Sequence, residues 1–158
     1  MKKIDSLIDD DLLSLNEFMF YCKSETLKEI CEYEYITESV NEWTKRQFNE
    51  NNGIVFIGAT GIAVRSIAPF IENKLKDSMV LVIDDMGHYV IPLLSGHVGG
   101  ANLMAKALAK VIGGEPVITT ATDIHDKFAI DVFAKNNGLN INNKEGIAKI
   151  SSKILDGK

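Results

Sequence analysis

Cysteine is nearly absent from this chain of 158 residues, with Cys22 and Cys31 the only two. A secreted disulfide scaffold needs a denser set, so a reducing, cytoplasmic setting is expected. Proline is scarce too, and no apolar run approaches the roughly 20 residues of a membrane-spanning helix. Met1-Lys2-Lys3 leads into Asp5 and Asp9-Asp10-Asp11, not into the apolar core of a signal peptide. The metal-ligand spacings CxxC and HxxxH are missing, so no metal or other cofactor of the protein's own is expected. Without GxGxxG or GxxxxGK the case for nucleotide binding is weak, and without GxSxG so is the case for a serine nucleophile at Ser95.

Glycine is absent before Gly53, and nine of the twelve then fall between Gly53 and Gly114. Charge is skewed in the same way. Residues 1–52 hold 6 basic and 12 acidic side chains, residues 53–158 hold 11 and 10, and the net charge is −5. An acidic face repels phosphate backbones, which argues against a nucleic-acid partner. The 46% hydrophobic content suits one globular domain over 1–158 with a real core.

The rhythm of that domain is strand and helix in alternation. Phe18 to Cys22 reads as a short strand, and Ser24 as the cap of a helix over 25–30. Thr37 or Ser39 opens an amphipathic helix carrying Val40, Trp43, Thr44 and Phe48, which Asn51-Asn52-Gly53 ends in a left-handed cap. Ile54-Val55-Phe56-Ile57 and Met79 to Ile83 read as buried strands, and Pro69 limits a helix that starts at Ile62. Gly87 turns the chain into a third strand, His88 to Ile91, antiparallel in one reading. Ala101 to Ile112 is a helix with Leu103, Ala107, Leu108 and Val111 on one face, followed by a strand at Pro116-Val117-Ile118. Helices over 128–135 and 144–155 complete an α/β domain. Its expected form is an open, mostly parallel sheet with helices on both faces, a three-layer arrangement of Rossmann or flavodoxin type.

Ligands of open α/β sheets sit beyond the carboxyl ends of strands, where four segments lie. Gly58-Ala59-Thr60-Gly61, with Arg65 one turn on, suits a carboxylate or phosphate cradle. The same residues equally make a tight β–α turn beside a surface arginine. Asp84-Asp85 suits a base or a cation holder, or else a polar strand end opening a hairpin. Ser95-Gly96-His97-Val98-Gly99-Gly100 is more specific, because imidazole suits proton transfer near neutrality and the glycines would let a large planar ligand lie against the backbone. Its plainer reading is a histidine that caps the next helix. Thr119-Thr120-Ala121-Thr122-Asp123 offers three hydroxyls and a carboxylate, or simple caps. His88 and His125 read as surface residues.

Together the segments Gly58 to Arg65, Ile67-Ala68-Pro69, Leu93 to Asn102 and Pro116 to Asp123 resemble the CbiG family, cobalt-precorrin-5A hydrolases of anaerobic cobalamin biosynthesis. The resemblance runs from residue 37 to 155 and is strongest over 53–123, while residues 1–36 match poorly and the family's usual opening strand is hard to find there, being either lost or altered. Family members continue beyond the point matching Lys158 through a linker into a domain resembling CobE, so that domain is expected as a partner, as is a homodimer. The resemblance implies opening of the δ-lactone of cobalt-precorrin-5A and release of acetaldehyde, with cobalt carried by the tetrapyrrole substrate. It also leaves a second reading, a non-catalytic tetrapyrrole-binding module. In chemical terms His97 is the expected acid or base, with Asp84, Asp85 or Asp123 orienting it. Arg65 and the amides and hydroxyls around Gly58, Thr60, Gly61, Ser95, Gly96, Thr119, Thr120 and Thr122 would hold the substrate. Amides near Gly99 and Gly100 would face an oxyanion.

Overall fold

The computed structural model describes residues 18–30, 33–73, 76–97, 99–125, 127–128, 130, 133–134 and 137–155. Expectations for residues 1–17, Cys31 and Val98 lie outside them.

Ser24 opens α1 (Glu25–Ile30) by accepting the Leu27 amide on its hydroxyl at 3.4 Å. Around that helix β1 (Tyr21–Cys22) and β2 (Glu34–Tyr35) pair in parallel as a sheet of their own. Tyr21 meets Trp43 edge to face at 5.2 Å, which seats this small unit on α2 (Val40–Asn49). Of the two candidate caps for α2, Ser39 is the one used, in a reciprocal capping box with Glu42. Asn51, at φ 56°, supplies the left-handed stop.

β3 (Ile54–Ile57) then leads into α3 (Thr60–Ile67), which tightens into a 3-10 turn over Ala68–Phe70 where Pro69 cannot continue an α-helix. β4 (Val80–Ile83) is buried along its whole length. The chain reverses through Asp84 to His88, with Gly87 at φ 72°, into β5 (Tyr89–Leu94). α4 (Ala101–Ile112) ends at a left-handed Gly113. β6 is only Glu115–Pro116, because Val117 and Ile118 leave the sheet soon after pairing begins. α5 (Ala121–Ile124) and α6 (Lys144–Leu155) follow. Of the helix expected over 128–135, residues 130, 133 and 134 are helical and Phe128 precedes it; the others lie outside the described residues.

The main sheet is open, in the order β3-β4-β5-β6, and two of its three pairings are parallel. Alternating side chains send Leu81 and Ile83 with Val90 onto α4, and send Val80 with Ile54 onto Trp43 of α2 and Ile67 of α3. Helices therefore cover both faces. The contact stripe of α4 is Ala101, Ala105, Leu108, Ala109 and Ile112, not the face built on Leu103, which is 66% exposed.

One pairing decides where chemistry can gather. Because β5 runs against β4, Val80 pairs with Leu94 and Ile83 with Val90. β6 follows β5 in direction. The carboxyl ends of β3 and β4 thus lie at one end of the sheet and that of β5 at the other, the length of the six-residue β5 away, or about 17 Å. β6 pairs with the start of β5, and the chain after it runs on to the far end.

Candidate active site

At the end where β5 finishes, five polar side chains converge. His97 Nε2 lies 2.6 Å from Asp123 Oδ2 and 3.0 Å from the Thr122 hydroxyl. Asn102 donates one amide hydrogen to Asp123 Oδ2 at 2.8 Å and the other to the Thr120 hydroxyl at 3.0 Å. His97 and Asp123 are 18% and 23% exposed, screened from bulk water yet open to a ligand. A carboxylate only accepts, so Nε2 carries the hydrogen and the lone pair of neutral His97 belongs to Nδ1. Thr122 and Asp123 meet the same nitrogen. A nucleophile–His–acid relay needs them on opposite nitrogens, so Thr122 is not an activated nucleophile.

The loop that presents His97 is held by its own backbone. Ser95 sits at φ 57° and its hydroxyl donates to the Asp77 carbonyl at 2.7 Å. The first two amides of α4, Ala101 and Asn102, donate to the carbonyls of Ser95 and Gly96 at 3.1 and 3.0 Å. The Gly100 amide bonds the His97 carbonyl at 3.1 Å, so it is spent on the turn and does not face an oxyanion. The glycines serve the loop in the same way. A Cβ on Gly99 would stand 2.6 Å from the Ser95 carbonyl oxygen, and Gly100 is left-handed at φ 88°. Ser95, Gly96, Gly99 and Gly100 therefore shape the site from behind. Of the hydroxyls expected to hold a ligand, Thr120 and Thr122 are engaged as described, and Thr119 is exposed at the same end.

The other expected site residues are not brought here. Gly58, Thr60, Gly61 and Arg65 lie at the opposite end, beyond β3. There the Arg65 guanidinium folds back over Gly61, its Nη1 3.4 Å from where a Cβ would be, and no side chain caps α3. Asp84 shares that end and is a hairpin residue. It accepts the Tyr89 and Met86 amides at 2.6 and 3.3 Å. Those bonds, Tyr89 first, hold its carboxyl below the usual range. Asp85 is exposed in the same turn. Only Asp123 of the three candidate aspartates meets His97. The reason is the hairpin: a reversal of β5 sends its loop away from the loops after β3 and β4.

Asn102 is the residue that reading the loops missed. Its signal was an asparagine, a poor helix former, in the first turn of an otherwise alanine-rich helix directly after the glycines.

At one end of an open α/β sheet the chain thus holds a half-buried histidine paired with a carboxylate, a pair chemically able to move a proton. Residues 42–123 match the family model described as Cobalamin synthesis G N-terminal, and the chain belongs to that family. A cobalt-precorrin-5A hydrolase of Salmonella typhimurium is 52% identical over 92 residues, covering 58% of this chain and 26% of that protein. One from Priestia megaterium is 38% identical over 109 residues, covering 69% and 29%. A crystal structure of a cobalamin biosynthesis protein G homologue from Sulfolobus solfataricus is 31% identical, covers 84% of this chain and 40% of its own, and has a TM-score of 0.46. The chain thus spans under a third of the length of the first two relatives. Among the described residues no helix is long and apolar enough to cross a membrane.

Proposed function

We propose that this chain takes part in cobalt-precorrin-5A hydrolysis in the cytoplasm, opening the δ-lactone of the tetrapyrrole and releasing acetaldehyde. The observation that carries this reading is the contact of His97 with Asp123, which joins two of the segments that resemble the family, 21 and 26 positions from Asn102 and His97 to Asp123 respectively. His97 Nδ1 takes a proton from water as the water oxygen adds to the lactone carbonyl. Collapse of the adduct expels the ring oxygen, which takes the proton back as an alcohol. Loss of the alcohol proton then lets its electron pair form the acetaldehyde carbonyl. The carbon–carbon bond breaks, and the macrocycle carbon takes up the proton. Asp123 stabilises the imidazolium during each transfer. Cobalt arrives with the substrate, and the exposed Thr119 is available to its peripheral carboxylates.

The test is to incubate the chain with cobalt-precorrin-5A and measure acetaldehyde, for the parent and for His97→Ala. Acetaldehyde release that falls by 100-fold or more, of the order of general acid–base contributions, with binding of the tetrapyrrole retained, is the expected result. Equal release by both proteins overturns the role of His97, and no release by the parent overturns the activity of this chain.

A further inference from the structure

Asn102 is 4% exposed, and both hydrogens of its carboxamide are used, on Asp123 and on Thr120. Its oxygen faces Gly96, where an added Cβ would lie 2.8 Å away. The backbone beneath it is fixed as well, since the Asn102 amide donates to the Gly96 carbonyl. Asp123, by contrast, rides on a helix of four residues with no side-chain cap. An aspartate there has two side-chain torsions to settle, and the same Oδ2 that meets His97 is the atom Asn102 holds.

We infer that Asn102 is a positioning residue that pins Asp123 against His97, and that Gly96 is glycine because the carboxamide occupies the space a side chain would take. The catalytic consequence rests on the proposed proton transfer by His97; the pinning itself does not. Thr120 completes the arrangement by accepting the second hydrogen, which leaves the carboxamide no competing orientation. Packing alone would demand volume at position 102, whereas pinning demands a donor at one place.

NMR of the whole chain reads the pinning without turnover. The parent is expected to show a downfield, slowly exchanging His97 Nε2–H resonance, identified by its loss in His97→Gln. Asn102→Ala and Asp123→Asn should each abolish it. Gly96→Ala crowds the bonded carboxamide, its Cβ 2.8 Å from Oδ1 and 3.2 Å from Nδ2, so it should weaken the resonance while adding nothing on top of Asn102→Ala. In turnover, Asn102→Ala should lower kcat by about 100-fold, the scale of a small misplacement, with KM within about twofold. Absence of the resonance in the parent, or its survival in a folded Asn102→Ala protein, overturns the inference. If Asn102→Ala does not fold, Gly96→Ala decides, and an unchanged resonance there overturns it. A resonance that behaves as expected while turnover ignores every variant leaves the pinning in place and removes the catalytic reading of His97.

Discussion

Asp84 and Asp123 share a residue type and part company through their donors. Asp84 collects backbone amides, Tyr89 foremost, and its carboxyl is held low in consequence. Asp123 collects side-chain donors from the loop before α4 and from α4 itself. A carboxyl whose folded pKa lies below its unfolded value of about 3.9 stabilises the fold above that pH, and the contribution disappears as pH falls through the folded value. Asp84→Asn should therefore flatten the loss of stability between about pH 5 and pH 2 relative to the parent, followed as urea midpoints across that range. An unchanged slope would show that the hairpin amides do not act through the charge. The sequence offered Asp84, Asp85 and Asp123 on equal terms, because which amides surround a carboxylate depends on how the chain turns after it.

Elements were read most directly where a local signal is complete. Ser39 and Glu42 stand three apart before an apolar stripe, and the structure closes both bonds of the capping box, at 3.2 Å to the Glu42 amide and 3.0 Å from the Ser39 amide. Ser39→Ala should cost about 1 kcal/mol, within the range of about 0.5 to 2 for such caps, measured by urea unfolding at neutral pH. A loss near zero would mean that tertiary packing of Trp43 alone holds the start of α2. The α4 stripe was less legible. Large apolar residues such as Leu103 draw the eye, but a helix lying close on Leu81 and Val90 uses alanines, and Leu103 is left outside. The strand after α4 is shorter than its residues suggest for a related reason: Val117 and Ile118 have the right chemistry, but the ladder to β5 ends with the Val117 amide on the Val90 carbonyl at 2.9 Å.

For the molecule as a whole the decisive fact is the direction of β5. It separates Arg65, at the end where β3 and β4 finish, from His97, at the end where β5 finishes. Arg65→Ala should accordingly leave the His97 Nε2–H resonance and its exchange rate unchanged, while a substitution at Asp123 removes them. A shift on loss of Arg65 would show the two ends to be coupled. The order of strands and helices, the capping of α2, the stop after α3 and the family itself were determined by the sequence alone. Each depends on near neighbours, on side-chain period or on motifs written contiguously. The choice of Asp123 over Asp84 and Asp85, the place of Asn102 and the division of the glycine loops between two sheet ends were decided by the tertiary structure. Those depend on a strand reversal and on residues up to 26 positions apart being brought within hydrogen-bond reach, which no local pattern encodes.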